Sequence, residues 1–481
     1  MVTKKNQFNV ENFKQFIHKA IKMWSVPGVA VAIVKDGRVI FSEGFGWRNL
    51  KKKLRVTSHT LFPIASCTKA FTTTAMGILV DEDKLDWDKP VKEYIPFFRM
   101  YDSVATERLT PRDLVIHRSG LPRYDWSWYR ADYTREEIFE RLKFLKPNKD
   151  LRSVYQYQNI MYMTAGYLVG HIAGCSWEEF VQKKIFQPLE MKESNFSIIE
   201  MKKVSDYSLG YLKRGNKIRE LPSINVDALG PAGSINSNVV DMAKWLLLNL
   251  SKGKYKNKKI ISEKSLMQIH SPQIVVPEEF NYEEIVNPCY GLGWGVVSYR
   301  GKKLLQHGGN LDGFQSHTSL MPSEKIGVVV LTNLDGTPAP RTIAYYAYDY
   351  LLGLEPIDWN KRAKLEIEKN KKEQMKERRK STLEQKKGTK PSHPIDNYAG
   401  EFENPAYGKI FVEKKKGKLY LIFHKIPYLL KHYHYNIFEF SDPVWDTRRK
   451  VSFQIGPKGN IKSLSVNFEP MTEPLIFERV K

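Results

Sequence analysis

Three cysteines in 481 residues, Cys67, Cys175 and Cys289, are too few for a disulfide framework and fit a reducing compartment. Also absent are a Cys-x-x-Cys pair, a His-Glu-x-x-His helix, a Gly-x-x-x-x-Gly-Lys-Ser/Thr loop and a Gly-x-Ser-x-Gly elbow. The common zinc, nucleotide and α/β-hydrolase readings therefore lose their usual support. Acidic residues are the minority, 53 Asp+Glu against 76 Lys+Arg for a net charge of +23. That excess favours solubility and loose attraction to polyanions without specifying a partner. The longest uncharged stretch, 153–177, holds Gln156, Gln158, Asn159, Thr164 and His171, which are costly in hydrocarbon. It reads as a buried helix entered from a polar loop, not as a membrane span. The start, Met1-Val2-Thr3-Lys4-Lys5-Asn6, has no apolar core of the secretory type. A soluble, cytoplasmic protein with no membrane insertion is expected.

Hydrophobic residues at 42% and aromatics at 12% give a globular composition, and the length suffices for two or three domains. Residues 8–24 carry Phe13, Phe16, Ile17 and Ile21 at helical spacing. Asp36-Gly37 lies between the apolar runs 28–34 and 38–45, a strong hairpin signal. Residues 304–306, 314–321 and 326–333 read as further strands, and 339–352 as a helix rich in Tyr and Leu. Between 60 and 290 the pattern is mostly helical and loopy. The expectation is an α/β (α+β) domain over 1–355, with one antiparallel sheet built from both of its ends, flanked by helices and interrupted by a helical region. Residues 356–393 form a charged connection. Its stretch 361–390 holds thirteen Lys/Arg and five Asp/Glu, and composition leaves a solvated helix and a flexible linker equally open. Residues 394–481 alternate in short runs, 409–414, 418–424, 433–440, 451–455, 463–469 and 475–479, separated by Gly and Pro. They read as an all-β barrel or sandwich.

The sharpest local feature is Ser66-Cys67-Thr68-Lys69, after Phe62-Pro63 and before a helical run. Residues three apart share a helix face, so Lys69 Nζ can reach Ser66 Oγ. Burial and the positive helix end would ease loss of the lysine proton, and a neutral amine can activate a serine without histidine. Alone, Ser-x-x-Lys is weak, because a capped solvated helix start is the ordinary meaning of such a match. Two more boxes follow in order: Tyr157-Gln158-Asn159 and His307-Gly308-Gly309-Asn310. Around them stand His117-Arg118-Ser119-Gly120-Leu121-Pro122, Pro231-Ala232-Gly233-Ser234, Tyr290-Gly291-Leu292-Gly293-Trp294 and Val328-Val329-Val330-Leu331-Thr332-Asn333.

Together these resemble the penicillin-recognising serine hydrolases, in the branch of class C β-lactamases, S12-type peptidases and related esterases, over about residues 10–355. The resemblance implies Ser66 as the nucleophile of an acyl-enzyme and Lys69 as acceptor or relay of its proton. Tyr157 would be the base or leaving-group acid; Tyr155 is a competitor, but the Tyr-x-Asn spacing selects Tyr157. Asn159 would bind a substrate amide. The oxyanion hole would use backbone N–H groups of Ser66 and Asn310, beside Gly308 and Gly309. His307 stands where many β-lactamases have the lysine of Lys-Thr-Gly. It lacks a fixed positive charge near neutral pH, which argues against strong penicillin hydrolysis and towards the D-residue aminopeptidases and esterases that share this form. Tyr398-Ala399-Gly400-Glu401-Phe402 and Asn404-Pro405-Ala406-Tyr407-Gly408 resemble the lipocalin-like barrel of some of these hydrolases, including archaeal ones, where it serves assembly or substrate access.

The expected function is a serine hydrolase acting on small peptide, amide or ester substrates, D-residue amides first, with no metal or organic cofactor and with homo-oligomers formed through the C-terminal domain. Carboxylesterase or weak β-lactamase activity is the alternative within the family. A silent scaffold or a basic nucleic-acid binder is the alternative of another class; the latter would use 361–390, which lacks interleaved aromatics. Asp81, Asp83, Asp86 and Asp88 lack the glycine of a calcium loop and read as a solvated turn. His424, His432 and His434 read as strand histidines rather than a metal site, and Cys67 as small core filler.

Overall fold

A computed structural model describes residues 8–277, 282–442, 444 and 447–480, apart from the side chains of 377–382. The chain divides into two compact units. The first comprises Met1–Pro96, Arg108–His117 and Ile160–Glu368, the second Phe97–Glu107, Arg118–Asn159 and Lys369–Lys481.

The first unit is built on an antiparallel sheet of nine strands among the described residues. They are β1 (Gly28–Lys35), β2 (Arg38–Asn49), β3 (Leu54–Arg55), β4 (Ile274–Val275), β5 (Ile285–Tyr290), β6 (Gly295–Tyr299), β7 (Lys302–Leu311), β8 (Phe314–Met321) and β9 (Ile326–Thr332). The order is β4-β5-β6-β7-β8-β9-β1-β2-β3, so the strands from both ends of the domain meet where β1 pairs with β9, Val31 opposite Val330. The β1–β2 hairpin turns at Asp36 and Gly37, both at positive φ, as a two-residue turn matched to strand twist requires. β1 and β9 are apolar on both faces because both are covered. On one face, helices α1 (Val10–Trp24) and α5 (Ala339–Leu351) bring Phe13, Ile17, Ile343 and Tyr348 against Val29, Val31, Val328 and Val330. On the other, helix α4 (Val239–Leu250) sets Leu246 over Gly327. Helix α2 (Lys69–Asp81) is buried around most of its circumference, and helix α3 (Asn159–Ala173) is the buried uncharged helix that the sequence implied.

One expectation needs correction. Strands are not confined to the ends of the domain, since β4, β5 and β6 extend the sheet from within 274–299. Their alternation is broken by a register shift between Val286 and Cys289 and by the Gly291–Gly293 turn, which removes the period-two signal. The aspartate cluster is exposed, in keeping with the solvated turn expected, and it makes hydrogen bonds to other segments. Asp81 accepts from Ser262 Oγ at 2.5 Å and Ser265 Oγ at 2.6 Å, and Asp88 from Arg112 Nε at 2.7 Å.

The connection is helix α6 (Trp359–Leu383), and not a flexible linker. Its start is fixed in the first unit: Trp359 is buried and its indole N–H donates to Asp349 at 2.8 Å. In the second unit, β10 (Gly400–Asn404), β11 (Gly408–Lys415), β12 (Lys418–Phe423), β13 (Ile426–His434), β14 (Ile437–Ser441), β15 (Arg448–Ile455), β16 (Ile461–Val466) and β17 (Leu475–Arg479) form a closed barrel in chain order. It closes where Phe402 of β10 faces Arg479 of β17. The sequence reading took only the last two residues of β13 into its run 433–440, across a tight turn at Tyr435-Asn436 that contains no Gly or Pro, and left the rest of β13 and all of β10 unassigned. The interior is filled by side chains, as in small barrels: Tyr398 lies 5.2 Å from Phe438 and 5.0 Å from Phe453 between ring centres. Among the described residues no helix is long and apolar enough to cross a membrane.

Candidate active site

Ser66 lies in a 3-10 turn, Ala65–Thr68, that runs directly into α2. Ala65 has φ +48°, a left-handed conformation costly for a residue with a β-carbon. Such strain persists only where surrounding contacts impose it, and here they are dense. Ser316 Oγ of β8 donates to the Ile64 carbonyl at 2.7 Å, and Cys67 Sγ donates to the His307 carbonyl at 3.2 Å. A β-carbon on Gly309 would stand 2.1 Å from the Ile64 oxygen and 2.3 Å from Ser316 Oγ, so only glycine lets β7 approach the turn this closely.

Lys69 is 0% exposed. Its Nζ donates to the Ala232 carbonyl at 2.8 Å and to Ser66 Oγ at 3.1 Å, and it sits 5.2 Å from the centre of the Tyr162 ring. The i, i+3 helical spacing delivers the reach that the sequence implied. The surrounding motifs serve as its walls. Thr72 Oγ1 donates to the Pro231 carbonyl at 2.7 Å and Thr73 Oγ1 to the Leu292 carbonyl at 2.9 Å. Gly293, at φ +80°, lies against the first turn of α2, where a β-carbon would be 3.0 Å from the Lys69 carbonyl.

His307 on β7 is only 8% exposed. Nδ1–H donates to the Gly308 carbonyl at 2.7 Å, which leaves Nε2 to accept from the Tyr290 hydroxyl at 3.0 Å. Burial, with Lys69 nearby, pushes the His307 pKa down to about 3. The ring is neutral at physiological pH and supplies no positive charge. Burial likewise pushes the Cys67 thiol up, so it remains protonated beside the serine and fits the reading as core filler. Asn310, further along β7, is exposed and donates through Nδ2 to Gln315 Oε1 at 2.7 Å.

Ser66, Lys69, His307, Gly308, Gly309 and Asn310 all belong to the first unit. The close contacts tie the Ser66 turn to Lys69, to the His307 backbone and to Gly309. Tyr157 and Asn159 belong to the second unit, where flanking glutamines hold them: Gln156 Nε2 donates to the Gly120 carbonyl at 3.1 Å and Gln158 Nε2 to the Pro122 carbonyl at 2.6 Å. Asn159 Nδ2 donates to Asp125 Oδ1 at 3.0 Å.

The sequence reading did not foresee an aromatic and imidazole cluster behind Lys69 and His307. His117, at φ +62°, lies 5.1 Å from Tyr162 and 4.8 Å from Tyr290 between ring centres, and the Tyr162 hydroxyl donates to the Val115 carbonyl at 2.5 Å. The signal was present, since His117 and Tyr290 each open one of the surrounding motifs.

Chemically, an enclosed amine within hydrogen-bond reach of a hydroxyl can exchange its proton and raise its nucleophilicity.

The chain was compared with known proteins. Residues 13–352 match the family model Beta-lactamase, and residues 384–479 match a domain of unknown function, DUF3471. The Unguisins hydrolase ungD' of Aspergillus campestris is 28% identical over 434 residues, 85% of this chain and 79% of its own length. The octameric penicillin-binding protein homologue of Pyrococcus abyssi superposes with a TM-score of 0.64 at 24% identity, over 98% of this chain and 100% of that one. The D-amino acid amidase of Ochrobactrum anthropi SV3, in complex with L-phenylalanine amide, superposes with a TM-score of 0.59 at 23% identity, over 71% and 97%.

Proposed function

We infer the function from the premise that the chain belongs to the Beta-lactamase family: it is a serine hydrolase that works through an acyl-enzyme on Ser66. The observation that carries this reading is the Lys69 Nζ to Ser66 Oγ separation of 3.1 Å at a fully buried lysine. Lys69 takes the Ser66 proton as Oγ adds to the substrate carbonyl. The tetrahedral oxyanion is held by backbone N–H groups of Ser66 and Asn310. Collapse breaks the scissile bond, and the leaving group departs with a proton. Water then attacks the ester and releases Ser66. Tyr157 is assigned the relay of the proton from Lys69 to the leaving group, accepting it as phenolate and passing it on, and Asn159 the recognition of the substrate amide, on the strength of the Tyr-x-Asn box. His307 acts as a neutral hydrogen-bonding group, with Gly308 and Gly309 lining the substrate strand.

The substrate we propose is a small peptide or amide, D-residue amides first. Relatives named as a hydrolase of unguisins and as a D-amino acid amidase support that class. Esters come second. β-Lactams come third, because a neutral His307 offers no partner charge to their carboxylate. No cofactor takes part. We also propose a cytoplasmic location, from the cysteine content, and homo-oligomers formed through the C-terminal barrel, in keeping with the octameric homologue.

A fluorescent phosphonate probe tests the nucleophile. Wild-type protein should be labelled and Ser66→Ala should not; an unlabelled wild type would instead favour a scaffold that keeps the fold without turnover. A matched panel of D-alanyl amide, L-alanyl amide, p-nitrophenyl ester and cephalosporin dye then ranks the substrates.

A further inference from the structure

Residues 123–126 alternate between two tasks inside the second unit. Arg123 and Asp125 face the Tyr157–Asn159 box, while Tyr124 and Trp126 face the barrel. The Asp125 carboxylate divides its oxygens: Oδ2 accepts from Arg123 Nε at 2.7 Å, and Oδ1 accepts from Asn159 Nδ2 at 3.0 Å. The Arg123 guanidinium then lies 5.0 Å from the centre of the Tyr157 ring. On the barrel side, the Tyr124 N–H donates to Glu469 Oε2 at 2.9 Å, and Glu469 is itself buried. The Trp126 ring stacks on Phe468 at 5.0 Å and 18°, with the Arg449 guanidinium 5.0 Å from its centre. The box is thus fastened to the barrel through four consecutive residues.

We propose that Arg123 and Asp125 are positioning residues for Tyr157 and Asn159, and that the barrel holds them in place through Tyr124 and Trp126. This rests on the roles proposed above for Tyr157 and Asn159. Asp125 turns the nitrogen of the Asn159 amide towards itself and so fixes which end of that amide points the other way. Arg123 places a permanent cation beside a phenol, which favours the phenolate form that a general base requires. The barrel would then be part of the hydrolytic apparatus by way of this tether.

The test uses the full chain and two kinds of readout. With an amide that the wild type hydrolyses, Arg123→Gln should lower kcat about fivefold and move the acidic limb of the kcat/KM profile to higher pH. Arg123→Lys should restore both in large part. Asp125→Asn should raise KM more than it lowers kcat. Independently of turnover, the Tyr157 ring-carbon resonance, assigned with Tyr157→Phe, should titrate at higher pH in Arg123→Gln than in wild type. Unchanged titration and limb in a folded Arg123→Gln, with unchanged KM in Asp125→Asn, would overturn the proposal. A wild type without Ser66-dependent turnover would fail the hydrolase reading instead, and the resonance titration would still decide the positioning claim.

Discussion

Gly309 and Ile64 are packed so closely that a β-carbon on the glycine would lie 2.1 Å from the isoleucine carbonyl oxygen. The strand box and the Ser66 turn are therefore one mechanical object. Gly309→Ala must push the turn away or distort β7. The expected cost is about 1–3 kcal/mol of stability, with a loss of kcat of about a hundredfold from a displaced Ser66. Thermal melting together with probe-labelling rates checks this. A variant that melts like wild type and labels at the wild-type rate would contradict the contact.

Lys69→Met separates chemistry from stability. The side chain is enclosed, and burying an amine carries a desolvation cost that an apolar side chain of similar shape does not. We expect kcat to fall by about a thousandfold while the melting temperature stays level or rises. Activity within tenfold of wild type would remove Lys69 from the mechanism.

Three buried histidines make the fold sensitive to acid. Burial pushes His270, His307 and His317 down to about 3 from an ordinary 6.5. Between those values the unfolded chain takes up protons that the folded chain refuses, so their stability contribution is complete above pH 6.5 and is lost as pH falls. Each ring contributes a slope of up to roughly 1.4 kcal/mol per pH unit. Urea midpoints at pH 7, 6 and 5 should fall steadily, and the fall should be shallower in His270→Asn. Midpoints flat from pH 7 to 5 would disagree.

Asp335 acts in the opposite direction. Burial, with Asp312 nearby, raises its pKa to about 7. The folded chain therefore holds a proton between pH 4 and 7 that the unfolded chain has released, and stability declines as pH rises through that window. Asp335→Asn can still accept from the Gly313 N–H, which lies 3.3 Å from Asp335 Oδ1. It should melt above wild type at pH 8 and close to it at pH 4. Equal melting curves at pH 8 would refute this.

Much of the site was legible because its signals are local. Ser66 and Lys69 are joined by helix geometry over three residues, and Asp36-Gly37 sets its hairpin by turn preference alone. Glycines and aromatics of the surrounding motifs could be seen, but not their tasks. That Gly293 abuts α2, or that Tyr290 donates to His307, depends on packing between segments far apart in the chain. Strands β4 to β6 were missed for the converse reason: bulges and tight turns erase alternation, and only their pairing in turn, β4 with β5, β5 with β6 and β6 with β7, makes them strands.

The order of residues determined the family, the serine–lysine pair, the neutral tendency of His307 and the presence of a C-terminal β domain, since each follows from short-range spacing or intrinsic side-chain chemistry. Tertiary structure alone decided that the basic connection is helical from an anchored Trp359, that Asp81 accepts from Ser262 and Ser265, that the barrel has eight strands among the described residues, and that Arg123, Asp125 and Trp126 tie the Tyr157 box to it. These depend on contacts whose partners lie tens to hundreds of residues apart, and no local pattern encodes which partners will meet.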